Sequence, residues 1–144
     1  METTNHPTIQ TFHIEGVQHI SPEIAFALLE KNEAILIDVR EPDETKRDEI
    51  PLENVFYHPM SVILERLNHI AKNQNIILFC NEGVRSTKVA NLMNRAGYPS
   101  VANLDGGLTA WSSRDLPYRR KLGYRPSTSG CGGGCSCNNS GCNC

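Results

Sequence analysis

The sequence predicts one α/β domain, a five-stranded parallel sheet with helices on both faces, followed by a flexible tail rich in cysteine and glycine. Three observations carry this reading. Segments of strand type and segments of helical period alternate from Val17 to Ser113, the order of a parallel sheet whose crossovers are helices. The strand-type segments 34–39 and 76–79 are unbroken apolar runs, as expected of strands covered on both faces. From Ser127 onward the composition turns abruptly to glycine, serine, asparagine and five cysteines, which identifies an appendage by composition alone. A chain of 144 residues suffices for one domain with a real core. Its net charge of -2 gives no bulk attraction to nucleic acid or to an anionic membrane.

The elements follow in order. Residues 1–16 are read as an N-terminal extension; Met1-Glu2-Thr3-Thr4-Asn5-His6-Pro7 has neither a basic cluster nor an apolar centre, and no later apolar run approaches spanning length. A cytoplasmic protein is expected. Val17 to Ile20 is a short strand, and Ser21-Pro22-Glu23 combines a capping serine, a first-turn proline and an acid, starting a helix that runs to about Lys31. Ala34 to Val39 is a central strand. A charged excursion through Ile50-Pro51 separates it from a more peripheral strand at Asn54 to His58, which Pro59 closes. Ser61 is expected to cap a helix in which Ile63, Leu64, Leu67 and Ile70 recur at helical spacing. Ile76 to Phe79 is the next strand. Val89, Ala90, Leu92, Met93 and Ala96 mark an amphipathic helix that Gly97 ends in a left-handed conformation. Ser100 to Leu104 is the fifth strand, and Leu108 to Ser113 forms a last short helix around Trp111, whose indole is read as core.

Cys80 is the only cysteine before residue 131, so no disulfide can staple the domain, which fits a reducing compartment. It opens the run Cys80-Asn81-Glu82-Gly83-Val84-Arg85-Ser86, directly after the apolar strand and before a helix expected to begin near Ser86. Helix N-termini and nearby cations favour a thiolate, so this placement predicts a reactive thiol. Gly83 permits the loop conformation, Arg85 is expected to neutralise an anionic donor or to brace the loop, and Ser86 to cap the helix and donate to the sulfur. The orientation of Glu82 is left open, since inward it would repel an anion.

Leu36-Ile37-Asp38-Val39-Arg40-Glu41-Pro42-Asp43-Glu44, the Cys80 loop, and Asn103-Leu104-Asp105-Gly106-Gly107-Leu108-Thr109-Ala110-Trp111 are three separated segments that in this order resemble the single-domain rhodaneses. The resemblance covers residues 17 to 118 and departs from the family at Glu49-Ile50-Pro51-Leu52-Glu53, where many members carry His-Ile-Pro-Gly-Ala. It implies a rhodanese-like domain over 17–120 and sulfur transfer through a Cys80 persulfide. The donor would be thiosulfate or a similar sulfane, the acceptor a thiol, cyanide or a protein. No cofactor is implied. Asp38 and Arg40 are read as a bracing ion pair without a chemical role. His6, His13, His19, His58 and His69 show no metal-ligand spacing and are read as surface or strand-edge residues.

Two other functions compete. A phosphatase or arsenate reductase would also use a loop cysteine and arginine, but four residues separate Cys80 from Arg85 here, against five in the related cell-cycle phosphatases. A non-catalytic or regulatory module would not need Cys80. Beyond a linker at 121–126, the tail at 127–144 carries Cys131, Cys135, Cys137, Cys142 and Cys144. Its Cys-x-Cys pairs suit a soft metal ion such as Cu(I) or Zn. Metal or metalloid capture, service as sulfur acceptor for Cys80, and no dedicated role all remain open for it.

Overall fold

The computed structural model describes residues 1–121; the tail at 127–144 with its five cysteines, and the expected linker apart from Lys121, lie outside the described residues. In chain order the elements are β1 (Gln18–Ile20), α1 (Pro22–Glu30), β2 (Ile35–Asp38), α2 (Pro42–Thr45), β3 (Asp48–Glu49), β4 (Val55–Tyr57), a 3-10 helix (Ile63–His69), β5 (Ile76–Phe79), α3 (Val84–Arg95), β6 (Val101–Leu104), α4 (Gly107–Ser112) and β7 (Arg119–Arg120). Five strands form one sheet in the order β1-β6-β5-β2-β4, and every pairing in it is parallel.

Alternation of side chains along the buried strands builds two cores. Ile37, Ile76, Leu78 and Val101 face α3 and the 3-10 helix, meeting Val89, Ala90, Met93 and Ile63. Leu36, Ile77, Phe79 and Ala102 face the other way, meeting Ala25 and Leu29 of α1 and Leu108 and Trp111 of α4. All four residues of β5 are buried, which explains its unbroken apolar run. Ser21 caps α1 through Oγ, which accepts from the Ile24 N–H at 3.4 Å. Gly97 follows α3 at φ +95°, the left-handed stop expected of it.

One expectation is corrected, and two stretches gain structure beyond what their residues suggested. Ser61 does not cap a helix: its hydroxyl donates to Glu41 Oε1 at 2.9 Å, and the segment after it winds as a 3-10 helix over Ile63–His69 with Val62 at its N-cap. The charged excursion contains the one-turn α2 and the two-residue β3, which pairs antiparallel with β7; elements this short carry no periodicity to read. Residues 1–16, read as an N-terminal extension, make contacts with the sheet. Thr4 and His19 exchange backbone hydrogen bonds of 2.8 and 2.9 Å along β1, and the Asp105 carboxylate at the end of β6 accepts from the backbone N–H groups of Thr8, Ile9 and Gln10.

Candidate active site

Period-two alternation decides where the Cys80 sulfur goes. Ile76, Leu78 and Cys80 belong to the same core cluster, so the residue after β5 turns toward α3, and Cys80 is only 1% exposed. The loop then reverses through Gly83 at φ +95°, which lets α3 begin at Val84. That start is two residues earlier than expected, which leaves Ser86 inside the first turn and not at the cap. The Gly83 N–H points back at the sulfur, 3.1 Å from Sγ. Ser86 is fully buried; its Oγ lies 3.4 Å from the sulfur and donates to Asn103 Oδ1 at 2.5 Å. The expected donation of this hydroxyl to the sulfur is therefore corrected: Asn103, on the neighbouring strand β6, takes the proton.

The loop is clamped from outside. At the start of α4, Leu108 N–H donates to Cys80 O at 2.8 Å and Thr109 N–H to Asn81 O at 2.9 Å. Gly107 makes this approach possible: at φ +62°, a Cβ there would sit 2.6 Å from Cys80 O and 2.7 Å from the carbonyl atoms of Asn81. Gly107→Ala is expected to lose roughly 2 to 4 kcal/mol through left-handed strain and backbone overlap together. A urea melt measures it, and an unchanged midpoint would disprove the clamp.

Charge gathers around the loop in a pair and a group of three. Arg85 Nη1 lies 2.8 Å from Glu44 of α2. Burial opposes the Arg85 charge, but Glu44 and the Cys80 sulfur outweigh it and raise the guanidinium further. Arg40 is completely buried. It is bidentate on Asp38, reaches Asp48 Oδ1 at 2.7 Å and donates to Asn81 Oδ1 at 3.3 Å. Burial pushes Asp38 upward against the pull of Arg40. On Arg40 burial works toward proton loss, yet Asp38 and Asp48 prevail and raise it. Glu82 is exposed and lines a groove of about 470 Å³ with Phe12, Val84, Thr109 and Arg114.

Sequence reasoning missed Gln10, His19 and Asn103. Gln10 Oε1 accepts from Gly106 N–H at 2.9 Å and from Asn103 Nδ2 at 2.9 Å, while its Nε2 donates to Phe12 O at 2.8 Å, to Gly83 O at 3.3 Å and to Thr87 Oγ1 at 3.1 Å. His19, read as a surface or strand-edge residue, lies on the edge strand β1 and is fully buried there. Burial first, and then its neighbour His13, lowers its pKa to about 4. His19 lies opposite Asn103 in the β1–β6 register, a meeting that no local pattern announces. Among the described residues His6, His13 and Glu15 bring ligand atoms within 4.8 Å of one another, a grouping their spacing did not suggest.

A family model described as "Rhodanese-like domain" matches residues 21–114. A protein of Allochromatium vinosum named "Sulfurtransferase" is 31% identical over 97 residues, covering 67% of this chain and 89% of that protein. The "Thiosulfate sulfurtransferase GlpE" of Vibrio cholerae is 25% identical, covering 69% of this chain and 92% of its own length. Among solved structures, a rhodanese-like domain protein from Staphylococcus aureus superposes with a TM-score of 0.58 at 34% identity, covering 65% of this chain and 89% of that one.

Proposed function

The chain belongs to the rhodanese-like domain family, and from that premise we propose that it is a sulfurtransferase whose nucleophile is Cys80 and whose donor is thiosulfate or a similar small sulfane. In the first half-reaction the Cys80 thiolate attacks the outer sulfur of thiosulfate. A new S–S bond forms, the old one breaks, and sulfite leaves with the bonding pair. In the second, a thiolate, cyanide or protein thiol attacks the terminal sulfur of the persulfide, and Cys80 departs as thiolate. Atoms and charge balance without a cofactor.

The observation that carries this reading is the Gly83 N–H held 3.1 Å from Sγ at the opening of α3. A backbone donor and the positive end of a helix stabilise anionic sulfur without reorganising. Arg85 adds a fixed cation beside it. The four residues between Cys80 and Arg85 make a smaller cradle than a phosphate would need, and so favour sulfur. Thiosulfate as donor also draws on the Vibrio cholerae relative. Incubation with thiosulfate followed by peptide mass mapping tests the proposal. One sulfur atom added to the Cys80 peptide is the expected result, and an unmodified peptide would refute it.

Arg85→Ala is expected to raise KM for thiosulfate about tenfold and to lower kcat less, because it removes anion attraction while the backbone donor to the sulfur remains. Steady-state kinetics check this. Unchanged constants would assign Arg85 to the Glu44 pair alone. Among the described residues, no helix is long and apolar enough to cross a membrane, and the net charge offers no footprint for nucleic acid.

A further inference from the structure

A chain of hydrogen bonds with a fixed direction runs behind the Cys80 sulfur, and the backbone sets that direction. The Gly106 N–H can only donate and the Phe12 carbonyl can only accept, so the Gln10 amide has one orientation, Oε1 toward Gly106 and Nε2 toward Phe12. Gln10 Oε1 therefore requires a donor from Asn103, which must be Nδ2. That places Asn103 Oδ1 toward Ser86. The other Nδ2 proton goes to His19 Nδ1 at 3.1 Å. His19 is then neutral and protonated at Nε2, consistent with a pKa lowered to about 4, and it donates to His13 Nδ1 at 2.8 Å. The same logic leaves the remaining proton of His13 on Nε2, a buried atom without a partner. A cation among His6, His13 and Glu15 would have to displace that proton and reverse the chain, so this cluster is not assigned as a metal site.

We infer that Gln10 and Asn103 are positioning residues that hold the single hydroxyl proton of Ser86 away from Cys80, so that Ser86 meets the sulfur as an acceptor. This rests on Cys80 being the nucleophile of the proposed reaction. A serine hydroxyl has one proton to give, and Asn103 Oδ1 receives it. Ser86 Oγ can then accept from the Cys80 thiol across 3.4 Å, which favours the neutral form, while the thiolate draws its hydrogen bond from Gly83. Hydrogen bonds to the charged form of a group stabilise that form, and those to the neutral form oppose it. Ser86 therefore gives the thiolate no hydrogen bond in the wild type, and the Gly83 N–H is its backbone donor. The charged and titratable groups around the site are Arg85 with Glu44, Glu82 on the loop, Arg40 with Asp38 and Asp48 behind Asn81, and His19 and Asp105 on the β6 side. The substitutions below keep all of them.

The test is the pH dependence of Cys80 alkylation by iodoacetamide in the full chain, read by mass mapping of the Cys80 peptide so that the tail thiols do not contribute. In Asn103→Ala the freed serine can donate to the thiolate, and the pH of half-maximal alkylation is expected to fall by about one unit, a tenfold change in the ionisation constant. The double variant Asn103→Ala/Ser86→Ala should lose that fall. Ser86→Ala alone should leave the half-point unmoved or lower, because the wild-type serine gives the thiolate no proton. A rise in Ser86→Ala, or an unmoved half-point in Asn103→Ala, would overturn the inference. Should Asn103→Ala fail to fold, the sign of the Ser86→Ala shift still decides. Alkylation needs no sulfur donor, so failure of the proposed transfer reaction would leave this readout intact and be told apart from it.

Discussion

Cys80→Ser is expected to reduce sulfur transfer from thiosulfate by roughly a thousandfold or more, the scale on which removing a covalent nucleophile acts. A serine hydroxyl is not ionised at neutral pH, and an oxygen nucleophile cannot form the persulfide that the second half-reaction consumes. The substitution is otherwise mild. Oxygen can take over the Gly83 N–H and approach Ser86, at the cost of placing a hydroxyl at the margin of the apolar cluster of Leu78, Val89 and Met93. The fold should therefore persist, and circular dichroism serves as the control. Cyanide-dependent thiocyanate formation measures the rate. A folded Cys80→Ser protein that retained more than about a tenth of wild-type activity would show that another thiol carries the sulfur and would remove Cys80 from the centre of the mechanism.

Arg40→Ala is expected to cost about 3 to 5 kcal/mol of stability, the range for stripping one partner from a buried ion pair. Both Arg40 and Asp38 are fully buried, so the loss leaves the Asp38 carboxylate in the core without its bidentate partner. It also cuts the ties to Asp48 and Asn81. The pH dependence has a definite sign. Burial already raises Asp38 above its usual range, and removing Arg40 raises it further. The penalty is then present while the carboxylate is ionised in the folded state, and shrinks as the pH falls through its raised titration range. Asp38→Asn added to Arg40→Ala should recover part of the loss at neutral pH. Urea melts at two pH values give all three quantities, and a loss below about 1 kcal/mol would mean that Arg40 is not the brace of this end of the sheet.

What was legible in the sequence is local. The β5 run, the glycine-containing loop and the helix after it are contiguous, so the burial of β5, the delivery of Cys80 to a helix start and the stop at Gly97 could be read from apolar continuity, spacing and a single glycine. The same holds for the Ser21-Pro22 helix start and for Trp111 as core. Tertiary structure decided the rest. Strand order β1-β6-β5-β2-β4 brings β6 between β1 and β5, and only that order sets Asn103 against Ser86 on one side and His19 on the other. The folding back of residues 1–16 places Gln10 beneath Gly83, where a Cβ would strike its amide, although nothing around Gln10 in the chain marks it. Glu44 meets Arg85 because α2 follows β2, the immediate neighbour of β5. Periodicity records which face of an element is buried. Which polar groups meet across the sheet depends on pairing and register between segments up to 97 residues apart, and this is why the proposed nucleophile was visible in the sequence while the residues that orient its surroundings were not.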